Sequence, residues 1–291
     1  MKKLLTFTLL TALALSFNAC KKSSSTVDGT NFLGNTTHTT TTTPPPADPL
    51  APVGSLPADY TKKAVLEEFT GEWCGWCPEG AKVMVDNIAA HPGKVVGIAV
   101  HDGDPMEIPS YNTWIKALTG VTGFPNGSVD RADASDRGNW TSQINAELAK
   151  TANLGIAMVT KTKGNLSTVQ VYIGYKSAIP AGAKLTLAVI EDHVPQSSGG
   201  QHNYSTTVVV DANWQHSHVL RGLVTANDGD AVDLTSTKKY TIVEFKDIDL
   251  STMNINNMAN VQFAAFINVN STPRDILNAQ EAGLNETKKW D

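Results

Sequence analysis

Two cysteines separated by two residues form the most reactive pattern in this sequence. Cys74 and Cys77 stand in the segment EFTGEWCGWCP, residues 68–78. A helix N-terminus lowers the pKa of a nearby thiol, because its unpaired N–H groups and its dipole favour negative charge. A second thiol within one turn can then resolve a mixed disulfide. The spacing therefore predicts thiol–disulfide exchange, with Cys74 as the nucleophile and Cys77 as the resolving thiol.

The residues around this pair predict a strand, a helix and a second strand. Ala64–Phe69 has the pattern of a strand, and Pro78 suits the first turn of a helix, where a missing N–H costs nothing. Apolar positions within residues 79–90 predict a helix that packs on a sheet, and Lys94–Val100 is apolar enough for a buried parallel strand. In this order of elements a CxxC pattern is typical of a redox pair.

Glu68 lies on the strand that leads into the pair, six residues before Cys74. A carboxylate that is partly buried beneath the pair could relay a proton to or from Cys77. The alternative is a carboxylate at the strand edge beside an exposed Glu67. We therefore treat Glu68 as a third candidate catalytic residue.

A proline enters another predicted strand. Gly123, Phe124 and Pro125 precede the strand Gly127–Asp130. An X-Pro bond at such a position can be built in the cis form, and the alternative is a trans proline in a turn. In the cis form Pro125 would lie opposite Cys74, and Phe124 would offer backbone groups to a peptide.

Two alternatives to redox chemistry remain for the Cys pair. It could be half of a zinc site, although two further ligands at metal spacing are absent, or it could be a structural disulfide of an exported domain. Cys20, Cys74 and Cys77 are the chain's three cysteines, too few for a disulfide scaffold or a four-thiolate zinc site.

The composition defines a broad class of protein. The chain has 291 residues, of which 41% are hydrophobic and 18% charged, and its formal net charge is −5. This apolar share excludes wholesale disorder, and the mild negative charge argues against nucleic-acid binding.

The N-terminus has the features of an export signal. Lys2 and Lys3 precede the apolar run Leu4–Phe17, which at 14 residues is short for a membrane span. The run ends at Ala19-Cys20, which resembles a bacterial lipobox. We therefore predict a signal peptide at 1–19, lipidation of Cys20, and a disordered tether rich in Ser, Thr and Pro at 20–58; the alternative is an ordinary secretory signal. Lys21 and Lys22 do not resemble an inner-membrane retention signal, which favours the outer membrane.

The second half of the chain has a pattern of period two that predicts strands. No apolar stripe of helical length appears before Ile276–Leu284, and residues 192–205 have the composition of a long loop. We therefore predict an all-β sandwich-like domain at 153–291, after an α/β domain at 59–152 that ends in a helix near Trp140–Lys150. The predicted strands are Gly155–Lys161, Thr168–Tyr175, Lys184–Glu191, Thr206–Val210, Tyr240–Phe245 and Val261–Asn268.

Two histidines in the second half could share one face. If their segment is extended, His216 and His218 point the same way, as a metal pair would, with His193 or His202 completing the set. Histidines that pack on a strand or a loop are far commoner, so we assign no metal site.

The Cys segment, Glu68 and Pro125 resemble a thioredoxin-fold domain over residues 60–150. Together with the lipobox, the Gly-Phe-Pro loop and the β-rich tail, they resemble the outer-membrane-protein-28-related lipoproteins over most of residues 60–285. The resemblance implies an α/β thioredoxin-like domain followed by an all-β sandwich-like domain. It also implies that Trp73, Gly75, Trp76, Phe124 and Pro125 contact the substrate.

Two functions follow as expectations. The first is a membrane-anchored thiol–disulfide oxidoreductase of the cell envelope, which needs no cofactor because the Cys pair carries the electrons. Its expected partners are thiols and disulfides of envelope proteins, a redox partner, and the membrane through the lipid on Cys20. The alternative is an outer-membrane binding or adhesion lipoprotein in which the CxxC is a structural or vestigial disulfide.

Overall fold

The elements of the fold alternate between helix and strand only in the first half of the chain. The computed structural model describes residues 48–179, 182–235, 237–270 and 274–291. Within them the α-helices are α1 (Cys77–Ala90), α2 (Pro109–Thr119) and α3 (Trp140–Leu148). The strands are β1 (Ala64–Thr70), β2 (Val95–His101), β3 (Asn126–Val129), β4 (Ser135–Asp136), β5 (Leu154–Lys163), β6 (Leu166–Tyr175), β7 (Lys184–Glu191), β8 (Val194–Pro195), β9 (Gln215–His216), β10 (Val219–Leu223), β11 (Asp230–Ala231), β12 (Tyr240–Asp249), β13 (Val261–Val269), β14 (Asp275–Gly283) and β15 (Thr287–Lys288).

The largest sheet takes strands from both halves of the chain. Among the described residues it has nine strands in the order β14-β13-β7-β10-β2-β1-β3-β4, with β11 paired to β7. β1 and β2 are parallel, and β10 joins β2 in parallel through Val219 and Ala99. β10 also pairs antiparallel with β7, so it links the two halves into one sheet. A second sheet has the order β12-β6-β5-β15.

Both faces of the large sheet are covered. On one face Val65, Phe69 and Ile190 pack with Tyr111 and Ile115 of α2. On the other face α1 and α3 cover the first half of the sheet, where Trp140 and Ile144 of α3 pack against Leu66. The second sheet covers the remainder of that face, with Val171 and Ile173 packed against Leu187 and Phe263. Strands that are buried on both sides are mostly apolar, as β2 is, whereas β1 is buried throughout but carries Glu67 and Glu68.

The predicted fold class, an α/β thioredoxin-like domain followed by an all-β sandwich-like domain, is wrong. The described chain is mostly β, and its main sheet is a large mixed sheet rather than the sheet of an α/β domain. The error has a physical cause, because the prediction missed β10, which hydrogen-bonds the first half to the second. The predicted boundary after residue 152 falls between α3 and β5, within one compact unit.

Most of the individual elements were predicted. The strands that contain Ala64–Phe69 and Lys184–Glu191 and the helix after Pro78 are confirmed. The strand predicted at Thr206–Val210 is wrong, since these residues form turns and irregular structure. The apolar stripe of helical length at Ile276–Leu284 belongs to a strand, β14.

The N-terminal predictions fall largely outside the described residues. The signal peptide, Cys20 and the first part of the tether belong to residues 1–47. Of the predicted tether, residues 48–58 are described, and Leu50 and Val53 are buried against Ala157 and Tyr172. No helix in residues 48–179, 182–235, 237–270 or 274–291 combines the length and apolar character needed to cross a membrane.

Candidate functional site

Cys74 and Cys77 form a disulfide between the end of β1 and the start of α1. The helix begins at Cys77, and Pro78 occupies its first turn as the sequence predicted. The turn before it is closed by a hydrogen bond from Cys74 N to Gly71 O (3.0 Å). Cys74 and Cys77 are only 5% and 1% exposed, so in this conformation the disulfide is covered.

Glu68 is buried beside the first turn of α1. It is 1% exposed, and neither carboxylate oxygen has a hydrogen-bond partner among the described residues. Burial raises the pKa of Glu68 from 4.5 to about 8, because a charge without partners is costly in an apolar environment. Near neutral pH this carboxyl group therefore holds a proton and can release it only at the cost of a buried charge.

Gly80 makes this arrangement possible. A Cβ atom at Gly80 would lie 2.5 Å from Glu68 Oε1 and 2.8 Å from Pro125 Cβ. Such distances are too short for any side chain, so glycine lets Glu68 and Pro125 both approach the helix. Sequence analysis missed Gly80, although a glycine inside a helix is itself a signal of close packing.

The alternative considered for Glu68, a position at the strand edge beside an exposed Glu67, is wrong about Glu67. Glu67 is fully buried rather than exposed. Its carboxylate accepts a hydrogen bond from Tyr111 Oη and lies 3.5 Å from Arg131 Nε. Glu67 and Glu68 thus point to opposite faces of β1. The carboxylate of Glu67 has polar partners, whereas that of Glu68 has no hydrogen-bond partner among the described residues.

Phe124 and Pro125 precede a strand, β3, as the sequence predicted. The Phe124–Pro125 bond is cis. The next residue, Asn126, begins β3 and pairs with Phe69 of β1. The ring of Phe124 meets the ring of Trp73 edge-on, with 5.2 Å between their centroids. The structure therefore brings Phe124 and Pro125 next to Trp73 and Glu68.

An aromatic surface surrounds the disulfide. We use this name for Trp73, Trp76, Phe124 and Tyr204. Trp73 and Trp76 are 45% and 46% exposed, and Tyr204 is 62% exposed. Trp76 and Tyr204 meet edge-on at 6.1 Å. Large aromatic side chains exposed together commonly mark a binding site.

A distant segment covers the Cys pair. We call Gln196–Tyr204 the strap. Its residues bond to the backbone between β1 and α1: His202 N donates to Glu72 O (2.7 Å) and Tyr204 N donates to Gly75 O (2.7 Å). Gln201 Nε2 donates to Cys74 O (3.0 Å). The sequence predicted a long loop at residues 192–205, but no local signal indicates that this loop contacts Cys74 or Gly75.

Glu72 anchors the other end of the strap. Ser197 N donates to Glu72 Oε1 (2.6 Å), and Ser197 Oγ donates to Glu72 Oε2. His216 Nε2 lies 3.3 Å from Glu72 Oε1. The ring of His216 stands 5.0 Å from that of His101, centroid to centroid.

His216 belongs to this polar cluster and not to a metal pair. Burial, and then the neighbouring His101, lower the pKa of His216 to about 4, so its ring is neutral at pH 7. His218 has a φ of +54°, so the segment between the two histidines is not extended. The imidazole of His218 lies instead 3.1 Å from Asp192. Within the described residues, the group with metal-ligand spacing is Asp130, Glu147 and Asp275, and Lys62 is already paired with Asp130 at 2.5 Å.

Fold and site together define a mostly β protein with a covered CxxC disulfide at a strand–helix junction. The family model of the outer membrane protein Omp28 matches residues 112–288, more than half of the chain. This chain therefore belongs to the Omp28 family, which places it in the outer membrane or cell envelope. The matched range begins after Cys77, so the match does not extend to the Cys pair.

Solved structures show the same fold. HBP35 of Porphyromonas gingivalis is similar with a TM-score of 0.67 and 19% identity, over 79% of this chain and 77% of that one. A protein of Agrobacterium tumefaciens has a TM-score of 0.51 and 18% identity, over 80% of this chain and 100% of that one. No curated protein sequence matches.

Proposed function

We propose that this protein is an envelope binding protein that holds another polypeptide at the aromatic surface. The observation that carries the proposal is the exposure of Trp73 and Trp76 around a single backbone turn. Tryptophan and tyrosine supply much of the binding energy at protein interfaces, because they bury a large area at a small entropy cost. The covered disulfide then acts as a staple that fixes the turn between the two tryptophans.

Selection from a displayed library of random twelve-residue peptides, followed by titration calorimetry, tests this function. We expect the selected peptides to bind the wild-type protein and to bind Trp76→Ala about fivefold or more weakly, as truncation of a central interface aromatic does. Leu166→Ala is the matched control, because Leu166 of β6 is equally exposed (49%) but lies on the second sheet. Equal losses in both variants, or a selection without binders, would refute the proposal.

Thiol–disulfide exchange at the same site is the second candidate. The observation that favours it is the protonated Glu68, buried without a partner beside the first turn of α1 and against cis-Pro125. In this mechanism a partner's thiolate attacks the disulfide and forms a mixed disulfide with Cys74. Cys77 leaves as a thiolate and takes up a proton, for which Glu68 is the buried donor. A second thiolate of the partner then attacks the partner's sulfur in the mixed disulfide, so the partner leaves with a disulfide and the Cys pair keeps the two electrons as a dithiol. In the reverse direction Cys74 attacks a disulfide of the partner, and Cys77, deprotonated by Glu68, resolves the mixed disulfide.

The reduction potential of the Cys pair separates the two candidates. Thiol trapping after equilibration with a series of dithiothreitol ratios measures it. A value between about −120 and −270 mV would support exchange, whereas a value below about −300 mV would identify a structural disulfide.

We also propose that Cys20 is lipidated and anchors the protein to the outer membrane, at its periplasmic face or at the cell surface. Several acyl chains on one residue anchor stably, whereas one chain does not. In this arrangement the partners are envelope polypeptides, and in the exchange mechanism also their thiols and a redox partner.

A further inference from the structure

The strap occupies the backbone acceptors that a partner polypeptide would use. His202 N and Tyr204 N donate to Glu72 O and Gly75 O, both at 2.7 Å. The two donors are two residues apart, which is the spacing at which a strand presents N–H groups to the same side. The side chain of Gln201, which precedes the first donor, donates to Cys74 O, a carbonyl that lies between the two acceptors in the sequence. The strap thus binds as an extended peptide would.

The aromatic ring at the end of the strap lies against the Cys turn. Tyr204 lies edge-on to Trp76, and a Cβ atom at Gly75 would lie 2.4 Å from the Tyr204 ring. Gly75 is therefore the residue type that lets the ring lie over the backbone of the Cys turn. Cys74, whose carbonyl oxygen accepts from Gln201 of the strap, is only 5% exposed.

Apart from the ring of Tyr204, the strap is attached to the Cys turn through polar contacts. Ser197 binds Glu72, and Gly199 and Gly200 separate this anchor from Gln201. Gly200 has a φ of +69°, a conformation that glycine adopts without strain. No apolar side chain of the strap enters a core cluster of the described residues. The strap can therefore leave without disturbing the packed interior.

We propose that the strap is an internal ligand of the polypeptide-binding site and that an extended partner segment bearing an aromatic side chain displaces it. This inference rests on the proposed binding function. The partner's N–H groups replace those of His202 and Tyr204, and its aromatic ring takes the place of Tyr204 beside Trp76. Displacement also uncovers the Cys74–Cys77 disulfide.

Two variants weaken the strap by different routes. Tyr204→Ala removes the ring, and Gly75→Ala leaves the ring intact but inserts a methyl group where it lies. Val209→Ala is the matched control, because Val209 is exposed in the same loop and belongs to no core cluster. The full chain is used throughout.

The first readout is the rate of reduction of the Cys74–Cys77 disulfide by dithiothreitol, which gives up two electrons and closes to its cyclic disulfide. We expect both variants to be reduced about tenfold faster than the wild type, since the open fraction sets the rate, and Val209→Ala to be unchanged. Wild-type rates in both strap variants would overturn the covering role.

The second readout is the affinity for the peptides selected above. If the strap competes, these peptides bind Tyr204→Ala about tenfold more tightly than the wild type, because less of the protein is in the closed form. Peptides that need Trp76 but bind Tyr204→Ala no more tightly would overturn the inference and leave the binding function intact. If no peptide binds any form, the binding function fails, while the reduction rates still decide whether the strap covers the disulfide.

Discussion

Replacing Glu68 by glutamine tests the reasoning about the buried carboxyl directly. The pKa of Glu68 in the folded protein is about 8, against an ordinary value of 4.5, because the group is buried without a partner. Between these pH values the unfolded chain has released the proton and the folded chain has kept it. Folding must therefore take up a proton, and stability falls as the pH rises. Glutamine has the same shape and no such proton.

The magnitude follows from the two pKa values. Stability falls by about 1.4 kcal/mol per pH unit in the middle of this interval and by about half of that at its two ends, where one state is half-protonated, which amounts to about 4 kcal/mol between pH 4.5 and pH 8. We expect the free energy of unfolding of Glu68→Gln, relative to wild type, to rise by this amount across the interval. Below pH 4.5 Glu68 is protonated in both the folded and the unfolded wild type, so the difference in unfolding free energy between Glu68→Gln and wild type becomes independent of pH.

Urea denaturation of the disulfide-intact protein at half-unit steps from pH 4 to pH 8.5 measures this difference. Glu67→Gln is the control, because Glu67 is its buried neighbour but is paired with Tyr111 and Arg131. Removing one partner of a buried ion pair is expected to destabilise by about 3–5 kcal/mol. A pH-independent difference between Glu68→Gln and wild type would refute the assignment of a protonated Glu68.

Three further predictions test other parts of the structure. Gly80→Ala should lower the free energy of unfolding in urea by about 1–3 kcal/mol, because its methyl group meets Glu68 and Pro125; the gain of about 1 kcal/mol usual for Ala in a helix would contradict this packing. The wild type should lose about 3 kcal/mol of unfolding free energy in urea as the pH falls from 6.5 to 4, because the unfolded chain gains a proton that the buried His216 ring, with its pKa of about 4, does not. His216→Gln should not show this loss. Unfolding free energies of variant and wild type that change in parallel with pH would show that the ring is exposed. Cys20→Ser should abolish incorporation of labelled palmitate and release the protein from outer-membrane fractions, and retention of the label would exclude Cys20 as the lipid site.

Local patterns predicted the elements around the disulfide because each carries its own signal. β1 begins with the apolar residues Ala64–Leu66, β2 is an apolar run, and Pro78 lies in the first turn of α1. Glu68 and Pro125 are separated by 57 positions in the sequence, so only the resemblance to a known family placed them at one site.

The missed features depend on contacts between distant parts of the chain. β10 is short and carries a bulge near Gly222, so its pattern is weak. β14 lacks the alternation of a strand because polar residues occupy some of its buried positions, where they bond to other parts of the chain. Asn278 Oδ1 accepts from Lys63 N, and Gln280 Oε1 accepts from Lys63 Nζ. The strap likewise reveals its role only through Glu72, Cys74 and Gly75, more than a hundred residues away.

The separation between the strap and the disulfide also sets an order of events in time. Gln201 follows Cys74 by 127 residues. At about 5–20 residues per second, the ribosome completes this stretch about 6–25 s after it has made Cys74. In a chain that enters the envelope N-terminus first during synthesis, Cys74 and Cys77 are exposed to oxidants before the strap follows them. In such a chain the Cys74–Cys77 disulfide can form for a short time without the strap over it. In molecules that are still reduced once the strap has bound, the strap must first leave before the thiols can be oxidised.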